Sequence, residues 1–203
     1  MMSMVMALVA QAAAQPGEAG GAPGEKRPDG MTIGFGFGWF LPTDVTVPNT
    51  VSVRLRLPGG LTFEPTARFS YVGQTDEGPG GTVDKNTTTD ISFGTLVRVP
   101  LRGRGPIDLS VIGAGFFDFN KSRFDPDVGT DTVNKTSGFS LSWGLAVDWW
   151  FKRHWSFSFT AINPALSYSK SSSEFGGSSS SSSTILIGAI WDPSLFMMMH
   201  LYY

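Results

Sequence analysis

Between Phe139 and Phe159 the chain reads FSLSWGLAVDWWFKRHWSFSF. Phe139, Leu141, Trp143, Leu145, Val147, Trp149 and Phe151 take successive odd positions. Beyond Lys152-Arg153-His154 the same parity carries Trp155, Phe157 and Phe159. The even positions are mostly small or polar: Ser140, Ser142, Gly144, Ala146, Asp148, Ser156 and Ser158. Side chains alternate faces along a strand, so a period of two over this length predicts two antiparallel strands joined by a tight turn, with one wholly apolar face. The aromatics crowd toward the turn, which holds three potentially cationic side chains. A strand pair that crosses a bilayer meets the membrane–water interface in this way.

Composition agrees with that reading. Of 203 residues 41% are hydrophobic, yet no run of about 18 apolar residues exists to span a bilayer as a helix. Apolar residues are instead dealt out at every second position. The net charge of -2 provides no basic field to attract nucleic acid or anionic lipid. Cysteine is absent, which excludes disulfides, thiolate metal sites, a cysteine nucleophile and lipid attachment through an N-terminal cysteine. The length suits one domain with one core or one closed barrel.

Met1 to Gln15 holds a short apolar core followed by Ala12-Ala13-Ala14, a small-residue cleavage site, and residues 1–14 are expected to be a signal peptide. No Lys or Arg precedes that core, which leaves open a start upstream of Met1. Residues 15–30 are rich in Gly, Pro and charge, have nothing to bury, and are expected to form a flexible leader. The barrel is expected over residues 31–203. Ile33, Phe35, Phe37, Trp39 and Leu41 alternate with Gly34, Gly36 and Gly38, and three glycines on one face imply bulky groups opposite that need the room. Val51, Val53, Leu55 and Leu57 then alternate with Ser52, Arg54 and Arg56. After Pro58-Gly59-Gly60, the residues Phe63, Ala67, Phe69 and Tyr71 alternate with Thr62, Glu64, Thr66, Arg68 and Ser70.

Residues opposite one another in a hairpin share a face, which tests these strands. A three-residue loop at Pro58 to Gly60 pairs Leu57 with Leu61, Leu55 with Phe63 and Arg54 with Glu64. Taking Leu101 to Gly105 as the next loop pairs Val99 with Ile107, Val97 with Leu109 and Arg98 with Asp108. Between these hairpins lie longer polar segments, Gly73 to Thr87, Asn120 to Ser137 and Ser169 to Ser183, with a shorter one at Pro42 to Asn49. Connections therefore alternate long and short. Toward the end of the chain the apolar parity moves from odd positions at Trp155 to Ala161 to even ones at Ile162, Pro164, Leu166 and Tyr168, so a one-residue bulge is expected near Asn163. Odd positions from Ile185 to Tyr203 are again apolar. One long final hairpin is expected, turning near Gly176-Gly177, with Trp155 opposite Tyr203 and Pro164 opposite Pro193. The rival arrangement ends the last strand at Trp191 and leaves residues 192–203 as a tail.

If the apolar face looks at lipid, Arg54, Arg56, Arg68 and Arg98 must line the interior, together with Glu64, Asp90, Asp108, Asp118 and Asp148. An arginine on the lipid face near the bilayer midplane costs roughly 2–4 kcal/mol. The signs nearly balance, and about eight strands enclose a space that side chains just fill, so the set reads as a static polar plug. A salt-bridge gate that opens a narrow path is the functional alternative. Trp39, Tyr71, Trp149, Phe151, Trp155, Tyr168 and Tyr203 fall at strand ends and are expected to form aromatic girdles. A soluble lipocalin-like barrel would share the period with the faces reversed. The strand-end tryptophans and the arginines on the less apolar face argue against it.

In its dyad pattern, alternating connections, girdles and terminal aromatic Tyr203 with Leu201 and Met199 behind it, the chain from Met31 to Tyr203 resembles the eight-stranded outer-membrane barrels of Gram-negative bacteria, of OmpA, OmpX and OmpW type. The resemblance implies an all-β, eight-stranded, antiparallel up-and-down transmembrane barrel in the bacterial outer membrane. Its N-terminus would be periplasmic, its short turns periplasmic and its long loops extracellular. It implies outer-membrane lipid as surroundings, and recognition of the C-terminal strand ending at Tyr203 by the barrel-insertion machinery. It leaves the surface ligand unknown and gives no place to nucleic acid. The wall-anchoring role of longer relatives, which needs a second, peptidoglycan-binding domain, is not expected.

The expected function is non-enzymatic, structural or surface-interacting. Passage of small or hydrophobic solutes is the alternative, and lipid modification a third. No cofactor, metal or catalytic residue is assigned. His154-Trp155-Ser156 shares the His-x-Ser pair of outer-membrane lipid A deacylases, but it sits at the wrong end of the barrel for that chemistry. His200 faces the interior with no carboxylate at fixed spacing. Asp125, Asp127 and Asp131 around Gly129 depart from the calcium-loop spacing and read as a solvated loop. Asn163-Pro164-Ala165 matches the water-channel tripeptide, which there occurs twice and caps half-helices. Asn86-Thr87-Thr88 and Asn134-Lys135-Thr136 fit the glycosylation sequon and carry little meaning in a bacterial barrel.

Overall fold

The computed structural model describes residues 30–41, 47–77, 83–127, 129–188 and 193–203. The expected signal peptide, residues 15–29 of the leader, most of the 42–49 connection, and Trp191 lie outside them. Nine antiparallel strands follow in chain order: β1 (Thr32–Leu41), β2 (Thr50–Arg56), β3 (Thr62–Glu77), β4 (Val83–Arg104), β5 (Ile107–Asp125), β6 (Thr132–Lys152), β7 (Trp155–Phe175), β8 (Ser178–Ile187) and β9 (Ser194–Tyr202). Neighbours in sequence pair from β1 through β7, β7 pairs with β9, and β9 pairs with β1. The ring thus closes through eight strands, and no strand within it keeps a free edge there. Closure matters because lipid offers no hydrogen-bonding water to an unpaired backbone.

β8 lies outside that ring and continues the last strand beyond it, paired to the distal half of β7 alone. The expected single final strand is therefore two pieces. Leu166 faces Ile187, whereas Ile162 faces Ser194. Pro164 and Pro193, which lack the N–H that a ladder needs, both lie between these two sets of pairs. The expected one-residue bulge is present on β7 at Ala165, between the pairs Leu141–Leu166 and Ser142–Pro164. The hairpin turns through Gly176 and Gly177, whose φ values of 56° and 81° are those a two-residue primed turn requires. Trp155 faces Leu201 rather than Tyr203. The rival tail does not form, since β9 runs to Tyr202 and seals the ring.

Two further expectations need correction. The first hairpin has the expected register, with Leu55 facing Phe63 and Leu57 N–H donating to Leu61. The second does not. β4 runs on to Arg104, turns at Gly105-Pro106, and carries a register shift between Pro100 and Arg102. Arg98 consequently faces Ile112 instead of Asp108. The displacement is even, so each residue keeps its face although its neighbour changes. The long polar segments are also not loops. Gly73 to Glu77 and Val83 to Thr87 remain paired, as do Asn120 to Phe124 with Thr132 to Thr136 and Ser169 to Phe175 with Ser178 to Thr184. Threonine is strand-competent, and a ladder already in register extends without new loop closure. The long connections are thus hairpins projecting past the barrel.

The outer face between the turns is apolar. Phe35, Val51, Phe69, Phe93, Phe117, Leu145, Trp149 and Phe159 are all at least 40% exposed. Phe93, Phe117, Phe139 and Tyr168 are successive neighbours on β4 to β7 and form an aromatic rung toward the long hairpins. At the short-turn end Trp149, Phe151 and Trp155 contact in series with ring centroids 5.8 and 6.4 Å apart, and Phe35 meets Tyr203 at 6.3 Å. Ten residues separate Phe139 from Trp149. At about 3.3 Å per residue and a tilt of about 40°, the two rungs stand roughly 25 Å apart, the height of the apolar band of a membrane barrel.

Candidate functional site

In the barrel wall the even-numbered faces of the strands point inward, on β7 as far as the Ala165 bulge, and four charged side chains from four strands meet inside. Glu64 Oε2 accepts from Arg54 Nη2 at 2.9 Å and from Arg98 Nε at 2.6 Å. Asp148 Oδ1 accepts from Arg54 Nη1 at 2.9 Å, and its other oxygen lies 3.8 Å from Arg98 Nη1. Two cations and two anions thus form a closed ring. Arg54 and Arg98 are each 2% exposed and Glu64 1%. Buried charges are tolerable only when each finds partners, and neutral groups supply further ones, although Arg98 Nη1 has only the Asp148 carboxylate at ion-pair distance. Tyr202 Oη and Ser158 Oγ accept from Arg54 at 3.0 Å, Thr160 Oγ1 accepts from Arg98 at 3.0 Å, and Ser158 donates to Asp148.

His200 lies against this ring. Its Nε2 is 2.9 Å from Glu64 Oε1 and 3.2 Å from Ser52 Oγ, while Ser52 Oγ donates to the same carboxylate oxygen at 3.0 Å. Serine, histidine and glutamate are the residue types of a hydrolytic triad. The geometry is not that of a triad, which needs the hydroxyl and the carboxylate on opposite ring nitrogens. Here both approach Nε2, and all three residues are buried.

Glycines make room for this layer. A Cβ on Gly36 would lie 2.5 Å from the His200 ring and from Ser52 Oγ, and one on Gly34 would lie 2.8 Å from the Tyr202 ring. The bulky groups implied by the three glycines of β1 are therefore Tyr202 and His200, with Met198 beside Gly38. Gly36→Val is expected to destabilise the barrel by about 1–3 kcal/mol through overpacking. Denaturant unfolding of the lipid-reconstituted protein measures this, and an unchanged midpoint would mean the layer yields freely.

On the short-turn side, Arg56 Nη1 lies 3.4 Å from Asp108 Oδ2, which also accepts from the Trp150 indole at 2.9 Å. Trp150 contacts Tyr202 with ring centroids 4.7 Å apart. On the long-hairpin side the interior is apolar. Leu96, Ile112, Ala114, Phe116, Ala146, Ile162, Phe196 and Met198 form one buried cluster, with Phe40 against it. Between Glu64, Thr66, Leu96, Arg98, Phe196 and Met198 there is no space for a water molecule. Arg68 caps that cluster, its guanidinium 3.9 Å from the Phe40 ring centroid and 3.2 Å from Asp118 Oδ1. Beyond it Asn120 donates to Asp90.

The nine charged residues expected in the interior thus fall into separate groups. Arg54, Glu64, Arg98 and Asp148 join directly. Arg56 pairs with Asp108, Arg68 with Asp118, and Asp90 bonds Asn120. Sequence reasoning missed the apolar layer, although the even positions Ile112, Ala114 and Phe116 carried it. It also missed Trp150, hidden among the odd-position aromatics, and Tyr202, and it left His200 without the carboxylate it contacts. Of the expected girdle residues, Tyr71, Trp149, Phe151, Tyr168 and Tyr203 are exposed and Trp39 and Trp155 half-buried.

The other candidates do not assemble. His154 Nδ1 bonds the Tyr202 carbonyl at 3.0 Å, while Ser156 is fully buried and its hydroxyl meets Tyr202 Oη at 3.5 Å. Arg123 bonds Asp131 at 2.5 Å and lies 3.6 Å from Asp125. Its hydrogen bond holds the Asp131 carboxyl below the usual range. The Asp127 amide donates to Asp84 at 3.1 Å. Among the described residues no group of histidines and carboxylates is placed to hold a metal ion. Asn163 is buried beside the Ala165 bulge, in a strand rather than at a helix end.

A closed antiparallel ring, apolar outside and charged within, defines the chain as an all-β barrel of the outer-membrane type. A major outer membrane protein of Thermus thermophilus has a similar crystal structure, with a TM-score of 0.54 at 12% identity, covering 85% of this chain and 98% of that one. At that identity the likeness is one of fold. No protein-family model matches the sequence, and no curated protein matches it.

Proposed function

We propose that this protein is a non-conducting barrel of a bacterial outer membrane, of the small OmpA- or OmpX-like kind, which holds its lumen shut and presents its projecting hairpins at the cell surface. The filled interior carries the reading. The ring of Arg54, Glu64, Arg98 and Asp148 and the apolar layer above it occlude the same passage by two different means. Charges pulled apart would still leave Leu96, Phe116, Phe196 and Met198 in the way. In the orientation this implies, the N-terminus and the turns at Pro58, Gly105 and Arg153 are periplasmic. The strand ending at Tyr203 then meets the barrel-insertion machinery from that side. The projecting ends of the β3–β4, β5–β6 and β7–β8 hairpins face outward, and they are the parts available to surface partners.

Planar-bilayer recording tests the plug. The reconstituted wild type is expected to add no steady conductance above the bare bilayer, and Glu64→Ala alone is expected not to open it. Steady, ion-selective current through the wild type would replace this reading with a narrow channel. Lipid A mass spectra that change on overexpression would instead favour a lipid-modifying enzyme.

A further inference from the structure

On the outer face, two steps beyond the aromatic rung, like charges stand side by side. Lys121 on β5 and Lys135 on β6 are direct cross-strand partners. Lys170 on β7 faces Ser137, one same-face step below Lys135 and diagonal to it. Like charges directly opposite destabilise a sheet, so a pair of lysines at this position calls for a compensating anion. Glu174 lies 3.0 Å from Lys135, both being about half exposed. Among the described residues no carboxylate forms an ion pair with Lys121 or Lys170. These side chains rim a shallow concavity of about 560 Å³ floored by Ile91 and Phe119, with Thr89, Ser137 and Ser172 beside them.

Height decides what fills it. Each same-face step advances two residues, about 6.6 Å along a strand and roughly 5 Å along the membrane normal at a 40° tilt. Lys170 therefore stands about 5 Å above the Phe93–Phe117–Phe139–Tyr168 rung, and Lys121 and Lys135 about 10 Å above it, in the headgroup zone. Apolar Phe119 and Ile91 lie below the ammonium groups, where the first methylenes of an acyl chain would run.

We propose that this concavity binds the phosphate-bearing headgroup of a lipid in the leaflet at the long-hairpin end, the phosphate held between Lys121 and Lys135 with Lys170 beneath. The proposal rests on the membrane reading above. A soluble anion would gain nothing from the apolar floor, which an anchored lipid uses.

Native mass spectrometry of the full chain, refolded in neutral detergent, tests it with three probes: phosphatidylglycerol, phosphatidylcholine and inorganic phosphate. The wild type is expected to retain phosphatidylglycerol in preference to phosphatidylcholine. The combined variant Lys121→Gln, Lys135→Gln, Lys170→Gln is expected to lose that preference by about 100-fold, the sum of three lysines at about 1 kcal/mol each near a membrane surface. Lys152→Gln with Arg153→Gln, at the opposite end, is expected to leave it unchanged. A preference that survives the triple change overturns the assignment. Displacement of the lipid by millimolar inorganic phosphate also overturns it, in favour of a free-anion site. Heat-modifiable migration on gels shows that each variant is folded. If the wild type failed to enter vesicles and stayed folded without detergent, the membrane reading itself would fall, an outcome separate from an unchanged lipid preference in an inserted barrel.

Discussion

Glu64→Ala is expected to destabilise the barrel by about 3–5 kcal/mol, the usual cost of removing one partner from a buried ion pair. Glu64 is the shared acceptor of the interior. It takes hydrogen bonds from Arg54, Arg98, His200 and Ser52, and without it the two buried guanidiniums share Asp148 as their counter-ion, with only neutral hydroxyls besides. The loss exceeds that of one contact, because the charge left behind cannot recover its hydration. Adding Arg98→Met should return part of the stability by restoring one cation to one anion. Reversible urea unfolding in phospholipid vesicles, followed by tryptophan fluorescence, measures both. Wild-type stability in the single variant would show that water reaches the ring and that the plug is not sealed.

The second large effect lies on the opposite face of the wall. Leu145 is 47% exposed and sits near the middle of the apolar band, between Phe139 and Trp149. Leu145→Arg is expected to cost about 2–4 kcal/mol, whereas Phe151→Arg, at the short-turn rim, is expected to cost only about 0–1 kcal/mol. The contrast is the informative quantity, since both changes put the same guanidinium on the same face of the same strand. Measured in the same vesicles, equal costs at the two positions would remove the depth dependence that a bilayer imposes. The apolar exterior would then need another explanation.

These two variants separate what is local from what is not. Which side of the wall a residue faces follows from its parity, and parity is written in short stretches of chain. Thr50 to Arg56 against Thr62 to Arg68 needed nothing beyond the alternation and the three-residue loop to be placed correctly. The closed all-β ring, the inward arginines and the outward aromatics were legible for the same reason.

Meetings across the lumen were not legible, because they depend on the stagger of all the strands at once. Arg54 and Asp148 are 94 residues apart in the chain, and no pattern within either strand announces that they will touch. The β4–β5 register escaped because the strands run on to a two-residue turn at Gly105-Pro106 instead of stopping at Leu101, and this turn together with the one-residue irregularity between Pro100 and Arg102 moves the partner of Arg98 by four positions, an even number that leaves its face unchanged. The projecting hairpins escaped because serine and threonine read as loop when judged alone, yet extend a ladder that is already in register. Local chemistry sets each side chain's face, and only the closed sheet sets its height and its neighbours. The meeting of charges inside is therefore a property of the tertiary structure, and the apolar exterior a property of the sequence.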